Sequence, residues 1–516
     1  MGAGERLAWF LRDRALYLGK ERGWAWWDGK RWVVGLDAER LVTRYAHRSM
    51  RRMTAMALDV IEKALPDDER NAAWERTKKS AIANAGKVRT INNAITVAMV
   101  HPEVGEDPAR MDADPYLINV QNGVLNIHTM ELLPHHPKYR MTACSEYAWN
   151  PEADMSFWEE KVLEMMSGDA ELVRFLQRAA GWTLLGEGTT RTQAYIHCYG
   201  ISNSGKGVFT RTLLRVLGRS MACSISFGAI AEATKGAPNS DISQAEGKRY
   251  ILCPDTGGSP RWDGEVLKQL TGGDVVACRE LHRPKREFQP VGSLWICSND
   301  KPMPRGSGKH AIFNRGKIVR FRQEYSQDPE KLRKGLALPM DPDLERTLHE
   351  EHGEAVLKWC VLGARSYLDT RTLGTCEALE REMNEYKEGA KAALEEFADE
   401  YLRTEYDDVD DGELAFEHDD WDTQFVTAED LHKAFGVWCD MMNYKRGAEA
   451  TPTKISRTLN GILDNVSRFK RVRKGQFATS IVKGSRGRAW KRLCWTREGA
   501  NLLHRSYGTS NEREPF

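Results

Sequence analysis

The stretch CYGISNSGKGVFTRTLLRVLG, residues 198–218, contains the signature of a phosphate-binding loop and decides the fold of this chain. It fits the pattern G-x-x-x-x-G-K, but Gly207 stands where Ser or Thr usually follows the lysine. The apolar run AYIHCY leads into the loop, and VFTRTLLRVLG after it has the apolar spacing of a helix. This order of strand, glycine-rich loop and helix predicts a nest of backbone N–H groups that binds a phosphate anion.

Lys206 would reach the β- and γ-phosphates of a nucleotide in this loop. The hydroxyl that is missing at Gly207 normally ligates Mg²⁺, but a water can take its place because Mg²⁺ keeps several waters and binds phosphate oxygens. Thr210, further along the predicted helix, is a candidate for an outer-sphere oxygen. The predicted nucleotide-binding residues are Gly200, Ser202, Asn203, Ser204, Gly205, Lys206, Gly207 and Val208.

Length and composition indicate a multidomain α/β protein. A chain of 516 residues with 41% hydrophobic content is too long to fold around a single hydrophobic core. Lys plus Arg (75) nearly balance Asp plus Glu (74), so affinity for nucleic acid must come from local clusters. The ten cysteines lack metal-binding spacing and are predicted to be reduced thiols, mostly buried. The charged N-terminus MGAGERLAWFLRDRALYLGK excludes a signal peptide, so we expect a cytoplasmic protein without a membrane partner.

We predict six segments along the chain. The run GWAWWDGKRWVVG indicates a hairpin around Asp28-Gly29, whose tryptophans fit half-buried packing better than base stacking, and helical periodicity follows over 37–100. An Asn122-Gly123 turn and helices at 155–185 come next. The segments are a hairpin plus helical region (1–110), a domain preceding the nucleotide-binding core (111–185), that core (186–325), a helical extension (326–404), an acidic linker (405–424) and a basic C-terminal domain (425–516).

The core has five strand candidates, at 192–200, 249–255, 275–281, 288–299 and 316–321, with helices at 206–217 and 263–271. A phosphate-binding fold also needs an acid at the end of a neighbouring strand to hold the metal's water shell. The run RYILCPDT supplies Asp255 for this metal site. Because Thr256 follows it, the general base stays open among Glu246, Asp263 and Glu265.

The ordered motifs GISNSGKGVFTRTLLRVLG, ILCPDT, LKQLTGGDVVACREL, SLWICSNDKPMP and FNRGKIVRF resemble those of superfamily 3 helicases in the phage and plasmid primase–helicase family. The run QNGVLNIHTMELLPHHP resembles the domain that precedes the ATPase in that family. The resemblance covers roughly residues 112–322, and KQLTGGD is its most specific part. It implies a P-loop AAA+-like core, ATP and Mg²⁺ as cofactors, and assembly as a ring, with a homo-hexamer expected.

The resemblance also implies roles for individual residues. Asn299 matches a polar sensor that orients the attacking water, and Arg315 matches an arginine finger that reaches the ATP of a neighbouring subunit. Lys206, Asp255, Asn299 and Arg315 are therefore the expected catalytic set. Between TGGD and the sensor strand, a predicted hairpin carries a basic tip that would follow the DNA backbone, consisting of His282, Arg283, Lys285 and Arg286. Besides Gly207 and Thr256, SGKHA departs from the family pattern before the finger, which leaves slow ATP turnover open.

The C-terminal segment indicates a second nucleic-acid site. TAEDLHKAFGVWCDMM begins with Thr427 and Asp430 at the spacing of a capping box, and TPTKISRTLNGILDNV indicates a second helix. A basic, glycine-containing run with interleaved aromatics such as Trp495 follows. Together they look like a winged helix, with a solvated basic face as the alternative. The predicted DNA contacts here are Lys470, Arg471, Arg473, Lys474, Arg488 and Lys491.

Two functions follow from this sequence. The first is an ATP-dependent replicative DNA helicase that translocates on single-stranded and forked DNA as a ring. Since the first 110 residues lack a primase signature, priming would need a separate primase or other replication protein. The second is a DNA-binding replication initiator or loader that uses ATP mainly for assembly, favoured by Gly207 and Thr256. A small-molecule kinase has no use for the basic hairpin.

Overall fold

A computed structural model describes residues 2–186, 192–230, 241–254, 264–278, 286–299, 314–404, 425–441, 455, 459, 489–491 and 493–507. The chain forms two compact units. The first comprises Met1–Met155, Arg215–Met221 and His349–Val361, and the second comprises Ser156–Leu214, Ala222–Leu348 and Leu362–Phe516. Within the described ranges, no helix combines the length and apolar character needed to span a bilayer.

The first unit begins with a small antiparallel sheet. Its strands are β1 (Ala15–Tyr17), β2 (Trp24–Trp27) and β3 (Trp32–Val34), hydrogen-bonded in that order. Trp27 pairs with Trp32 across the predicted hairpin, and their rings lie 5.7 Å apart. Trp24 and Trp32 are buried, which confirms that these tryptophans pack inside the unit.

Five helices complete this part of the first unit: α1 (Ala3–Leu11), α2 (Gly19–Arg22), α3 (Leu36–Ala64), α4 (Ala72–Ala85) and α5 (Val88–Met99). They confirm the helical periodicity predicted over 37–100. The 29-residue helix α3 buries a stripe at helical spacing, made of Ala38, Val42, Ala46, Ser49 and Met50. This stripe joins apolar residues of α1 and α5 in one core.

A second antiparallel sheet in the first unit consists of β4 (Leu117–Val120), β5 (Gly123–Asn126) and β6 (Leu132–Leu133). Val120 pairs with Gly123, so the turn between β4 and β5 falls on Gln121 and Asn122. The sequence placed this turn one residue later, at Asn122-Gly123. Gly123 is the first residue of β5, and a side chain is excluded there because a Cβ would lie 2.5 Å from the carbonyl oxygen of Leu133 on β6.

The second unit is built on a five-stranded parallel sheet. Its strands are β7 (Tyr195–Gly200), β8 (Ala222–Ser224), β9 (Tyr250–Cys253), β12 (Ser293–Ser298) and β13 (Gly316–Phe321), in the spatial order β13-β7-β12-β9-β8. The central strands are buried on both faces, as their continuous apolar sequences require. The sequence missed β8, because three residues carry too little periodicity to indicate a strand.

Two predicted strands of this sheet are corrected by the structure. The segment predicted as 275–281 contributes β10 (Val276–Cys278), which pairs outside the parallel sheet with β11 (Arg286–Phe288) in an antiparallel hairpin. The single strand predicted over 288–299 is therefore two strands, β11 and β12. Pro290 lacks the N–H that a ladder needs, and a Cβ at Gly292 would lie 2.3 Å from the Lys248 carbonyl oxygen.

The remaining helices are α6 (Ser156–Met165), α7 (Ala170–Leu185), α8 (Lys206–Met221), α9 (Gly264–Gly272), α10 (Pro329–Arg333), α11 (Leu344–Glu350), α12 (Gly353–Thr370) and α13 (Glu377–Tyr401). Short strands β14 (Tyr325–Ser326) and β15 (Leu338–Pro339) form a parallel pair. The helices predicted at 155–185, 206–217 and 263–271 are confirmed. Helix α8 is interrupted at Gly218, whose φ is 76°.

The C-terminal part of the second unit forms its own apolar cluster. It contains β16 (Leu402–Thr404), β17 (Phe425–Thr427), α14 (Ala428–Met441), β18 (Ala489–Lys491), β19 (Leu493–Trp495) and α15 (Arg497–Tyr507). The antiparallel pairs are β16 with β19 and β17 with β18. The end of α13 enters the same cluster, where the Phe397 ring lies 5.3 Å from that of Phe435. The winged helix stays a prediction.

Two details of this region bear on the sequence analysis. The Thr427 hydroxyl accepts a hydrogen bond from the Asp430 N–H at 3.0 Å and donates one to the Asp430 carboxylate at 2.6 Å, so the pair caps α14. Trp495 is only 9% exposed and packs in the apolar cluster. As a residue of this core it is not exposed for contact with nucleic acid.

Candidate nucleotide-binding site

The predicted phosphate-binding loop lies at a natural ligand site of the parallel sheet. The chain leaves β7 through α8 toward β8 at one edge, whereas it passes from β12 to β13 at the other edge. Ligands of open parallel sheets bind outside the carboxyl ends of strands whose connections diverge in this way. Loop residues 200–205 follow β7, and Asn299 follows the adjacent strand β12, so both lie at this position.

Three residues give the loop its shape. A Cβ at Gly200 would lie 2.2 Å from the carbonyl oxygen of Phe321, so only glycine permits this approach of the loop to β13. Asn203 and Gly205 have φ angles of 56° and 86°, in the region where a nest of N–H groups forms. A Cβ at Gly205 would also lie 2.8 Å from Cγ of Met165. The loop backbone therefore has positive φ angles at two positions, which is a feature of anion-binding nests.

Lys206 is held inside this loop. Its side chain is nearly buried, and Nζ donates to the carbonyl oxygens of Gly200 and Ile201, each at 2.7 Å. Two weaker contacts, both 3.2 Å, join Nζ to Oγ of Ser204 and to Oδ1 of Asn299. These contacts hold the ammonium at the loop, where it would donate hydrogen bonds to the negatively charged oxygens of an entering phosphate.

The space beside Gly207 contains a guanidinium group. A Cβ at Gly207 would lie 2.6 Å from Nη1 of Arg211, whose side chain extends back along α8. Arg211 binds Glu345 with Nη2 at 2.9 Å and Nε at 3.1 Å from Oε2. The cation of Arg211 thus occupies the volume that a Ser or Thr side chain would take at position 207.

Thr210 does not supply the substitute oxygen that the sequence suggested. Its side chain is buried, and its hydroxyl donates to the Lys206 carbonyl oxygen at 2.9 Å. Cys297 Sγ on β12 lies 3.5 Å from the same hydroxyl. The hydroxyl therefore faces the sheet and serves helix packing.

A buried carboxylate lies on the other side of the loop. Glu382 of α13 is 1% exposed and accepts hydrogen bonds from Nη2 of Arg322 at 3.0 Å, from Nη1 of Arg320 at 3.4 Å and from the Tyr199 hydroxyl. Burial, reinforced by the bond to Glu382, raises the pKa of Tyr199 above its usual range. This cluster fixes the carboxyl ends of β7 and β13 to α13.

The same residues border a cavity of about 550 Å³. Its lining includes Gly200, Ile201 and Asn299 on one side, and Arg320, Arg322 and Arg381 on the other. These arginines were not among the site residues predicted from sequence. Arg320 and Arg322 alternate at the end of β13, so they share a face, and this i, i+2 spacing at a strand end was the available signal.

Arg315 lies at the opposite end of the sheet from Lys206. It immediately precedes β13, whose first residue Gly316 pairs with Tyr195 at the beginning of β7. The six-residue strands separate the two ends by roughly 20 Å at 3.3 Å per residue. The structure therefore brings Lys206 and Asn299 together and leaves Arg315 apart from them.

The hydrogen bonds of Arg315 indicate a structural role for the motif KQLTGGD. Nη1 of Arg315 donates to the carbonyl oxygen of Lys268 at 2.8 Å and to the hydroxyl of Thr271 at 3.0 Å, and Nη2 donates to Oε1 of Gln193 at 2.8 Å. Lys268 and Thr271 belong to the last turns of α9, where the helix dipole favours a cation. The motif thus positions the arginine, a role that the sequence did not assign.

Several predicted site residues lie outside the described residues. Asp255 is among them, although the preceding strand β9 is described to Cys253 and lies beside β12. Across the described ranges, no group of three or more His, Cys, Asp or Glu residues could hold a metal ion. Arg286 and Lys491 are described only in their backbone, in β11 and β18. The others outside are His282, Arg283, Lys285, Lys470, Arg471, Arg473, Lys474 and Arg488.

The ten cysteines are free thiols, as predicted. Nine are buried, and Cys223 is partly exposed. Two of them flank the loop: Cys198 on β7 is paired in register with Cys297 on β12. Burial raises the pKa of Cys198 well above its usual range. The thiols are therefore core residues of the sheet.

Sequence comparison places known families on two parts of the chain. The family described as "D5 N terminal like" matches residues 4–167, and a family of unknown function matches residues 198–321. The second range contains both Lys206 and Arg315.

Two viral relatives are similar over part of the chain. "Putative primase C962R" of African swine fever virus (strain Badajoz 1971 Vero-adapted) is 26% identical over 202 residues, which are 37% of this chain and 20% of that protein. "Putative helicase 121R" of Invertebrate iridescent virus 3 is 24% identical over 229 residues, 42% of this chain and 24% of that protein. The chain thus spans about a fifth to a quarter of the length of these relatives. These names support a relationship to proteins of DNA replication.

Solved structures also resemble this chain. The A form apo structure of the NrS-1 C terminal region matches with a TM-score of 0.34 and 12% identity, over 67% of this chain and 77% of that one. A second apo structure of the same region gives a TM-score of 0.35 with the same identity and coverage.

Proposed function

We propose that this protein is an ATP-dependent DNA helicase of superfamily 3 that acts in replication and translocates on single-stranded DNA as a ring. The observation that carries the proposal is the meeting of Lys206 with Asn299 at the carboxyl ends of β7 and β12, with Nζ 3.2 Å from Oδ1. Lys206 would bind the terminal phosphates, and Asn299 would orient the attacking water. The viral relatives named as primase and helicase support the same class of activity.

The chain's own residues would bind ATP in a defined arrangement. The loop N–H groups and Lys206 would hold the phosphates, and the cavity of about 550 Å³ is large enough for the rest of a nucleotide. Arg320, Arg322 and Arg381 contribute positive charge to its lining, together with the acid Glu385. Mg²⁺ would neutralise charge at the phosphates, and Asp255 and water molecules would ligate the ion on the protein side. Because Gly207 has no hydroxyl, the protein would offer that ion one fewer oxygen than usual, and the guanidinium of Arg211 occupies the space beside it.

Arg315 would act on a neighbouring subunit. It is separated from Lys206 of its own chain by the length of the parallel strands, roughly 20 Å. A second copy would therefore be needed to bring Arg315 itself to the phosphates, where it would stabilise charge in the transition state. This requirement favours a ring, and a homo-hexamer is the form that the family resemblance implies. The tip between β10 and β11 would then contact single-stranded DNA, and the C-terminal basic run would hold duplex or forked DNA.

The alternative function is a DNA-binding initiator or loader that uses ATP mainly for assembly. Gly207 with the guanidinium of Arg211 beside it is the observation that favours this alternative, because a metal bound with fewer oxygens would slow hydrolysis. ATP binding and assembly would then persist with little turnover. Either function would depend on a separate primase or other replication proteins.

The test measures DNA-stimulated ATP hydrolysis and forked-duplex unwinding for the wild type, Lys206→Ala, Arg315→Ala and an equimolar mixture of the two variants. Each variant alone should lose on the order of a hundredfold or more in hydrolysis. Random mixing into a ring should restore roughly a quarter of the interfaces, because the Arg315→Ala subunit keeps its lysine and the Lys206→Ala subunit keeps its finger. Arg333→Ala, which changes an exposed side chain of α10, is the control.

Two results would contradict the proposal in different ways. If the mixture stays inactive although both variants assemble like the wild type, Arg315 is not a finger acting between subunits. If the wild type binds ATP and DNA but neither hydrolyses nor unwinds, the initiator or loader takes the place of the helicase.

A further inference from the structure

The helical part of the first unit carries a concentration of positive charge. Residues 40–58 contain five arginines and His47 without an acidic residue, and residues 76–102 contain five lysines or arginines and no acid. The whole chain has a net charge of only +1, so these two segments depart strongly from its average. The basic clusters predicted from sequence are the tip at 282–286 and the C-terminal run, and these two segments were not among them.

The arginines of α3 form one exposed face. Arg40, Arg44 and Arg48 recur at four-residue spacing, which places them on the side of the helix opposite the buried stripe of Ala38, Val42 and Ala46. Arg40 lies 3.6 Å from Asp37 in an exposed pair. Arg44 and Arg48 are exposed and have no carboxylate partner among the residues that the structure describes. Their charges are thus available to a ligand.

The second acid-free segment lies beside this face. A Cβ at Gly86, between α4 and α5, would lie 2.2 Å from Nε of Arg51 on α3, so the turn and the arginine are in contact. Lys87 and Arg89 follow this turn and are exposed. We call the exposed basic residues between positions 40 and 52 of α3, together with Lys87 and Arg89 at the beginning of α5, the α3 basic face, which consists of Arg40, Arg44, His47, Arg48, Arg51, Arg52, Lys87 and Arg89.

We propose that the α3 basic face binds the phosphate backbone of duplex DNA. From Arg40 to Arg52 the helix advances about 18 Å at 1.5 Å per residue, which matches roughly five base pairs of rise. Arginine suits such contacts because its planar guanidinium donates to two phosphate oxygens at once. Seven fixed positive charges, one of them paired with the exposed carboxylate of Asp37, attract the polyanion without reading its sequence.

The composition of the face points to duplex rather than single-stranded DNA. Single-strand sites combine positive charge with aromatic side chains on which bases stack. The α3 basic face carries no Phe, Tyr or Trp, and Tyr45 of the same helix is partly buried with the Arg14 guanidinium 5.7 Å from its ring. A convex row of arginines without a stacking platform fits the outside of a double helix. This site is distinct from the proposed nucleotide site and does not depend on ATP hydrolysis.

The test measures equilibrium binding of the full chain to a duplex and to a single strand of the same length, without nucleotide, as salt is varied. The variant R44Q/R48Q/R89Q removes three charges and keeps helix-compatible side chains. We expect it to weaken duplex binding by tenfold or more and to lower the slope of log affinity against log salt by about 2.7, which is 0.9 per lost phosphate contact. Single-strand binding should change by less than about threefold.

The matched control is K20Q/K63Q/R333Q, which removes the same charge at exposed positions outside the α3 basic face. It should keep the wild-type duplex affinity and salt slope. The proposal is overturned if the control weakens duplex binding as much as R44Q/R48Q/R89Q, or if the latter leaves the salt slope unchanged. An equal loss on duplex and single strand would also overturn the commitment to duplex DNA. Since nucleotide is absent, failure of the helicase proposal would leave this measurement intact.

Discussion

The ammonium of Lys206 lies 3.2 Å from Oδ1 of Asn299, although 92 residues separate them in the chain. The contact exists because β7 and β12 are adjacent and parallel, with Cys198 opposite Cys297. Both residues therefore leave the sheet at its carboxyl edge. Two segments that are remote in sequence thus converge on the position where parallel sheets bind ligands, and the predictions below probe that position and the core that supports it.

Gly207→Ser should restore the missing hydroxyl at small cost to folding. A Cβ at this position meets only the far end of the flexible Arg211 side chain, at 2.6 Å, so the arginine can move away. We expect a change in unfolding free energy below about 1 kcal/mol and a severalfold lower Mg²⁺ concentration for half-maximal ATP hydrolysis. The measurement is a Mg²⁺ titration of ATPase activity. Gly207→Ala, which adds the Cβ without the hydroxyl, is the control. If both variants lower the required Mg²⁺ concentration equally, the effect comes from displacement of Arg211 and not from the hydroxyl.

Gly200→Ala should damage both the fold and the nucleotide site. The new Cβ would lie 2.2 Å from the Phe321 carbonyl oxygen, and this neighbour is backbone of β13 that cannot rotate away. We expect a loss of about 2–3 kcal/mol in unfolding free energy together with weakened ATP binding. Denaturant unfolding and nucleotide titration check the two effects. Gly247→Ala provides the contrast, because nothing lies within 4 Å of its Cβ position, although its φ of 69° carries a smaller backbone cost. Equal stability losses would refute the steric argument.

Glu382→Gln should loosen the attachment of α13 to β7 and β13. Glutamine keeps the shape but removes the charge that compensates Arg320 and Arg322. Because the carboxylate is buried while the arginines are partly exposed, we expect a loss of about 1–3 kcal/mol in unfolding free energy. Glu380→Gln alters an exposed residue of the same helix and should change stability by less than about 0.5 kcal/mol. Similar losses in both variants would mean that the buried cluster contributes little.

Stability should fall at alkaline pH because buried thiols resist ionisation. Burial raises the pKa of Cys253 and of Cys360 from 9.0 to about 12. Between these values the folded chain keeps protons that the unfolded chain releases, so unfolding becomes more favourable as pH rises. The contribution is complete below about pH 9 and declines by about 1.4 kcal/mol per pH unit for each thiol above it. Urea unfolding in reductant at about pH 8, 9 and 10 measures the slope.

Cys360→Ala separates this effect from other alkaline titrations. Removing one of the two thiols should make the decline between about pH 9 and pH 10 shallower by up to 1.4 kcal/mol per pH unit. An unchanged slope would show that Cys360 ionises equally in the folded and unfolded chain. The substitution also leaves a small cavity, which lowers stability by the same amount at every pH and so does not affect the comparison.

Local sequence was sufficient for much of this protein. The Trp-rich hairpin, the helices over 37–100, the strands β7, β9 and β13, and the strand, loop and helix around Lys206 were all predictable. Each of these elements depends on apolar periodicity, on a glycine or on turn residues. These signals determine backbone conformation within a few residues of their own position. The positive φ of Gly205 and the cap of α14 by Thr427 belong to the same class.

Tertiary structure alone decided which of these elements meet. The predicted hairpin is confirmed by the pairing of β10 with β11, but the sequence could not show that β10 lies outside the parallel sheet, since β10 and a sheet strand have the same apolar pattern. It could not separate Arg315 from Lys206 within one subunit, because that distance depends on the direction of β13 beside β7. Glu382, the buried partner of Arg320 and Arg322, comes from a helix about 60 residues away in the chain. The residues next to Glu382 in sequence do not indicate that its carboxylate is buried. Local preferences fix the elements, whereas strand order and long-range packing fix the site.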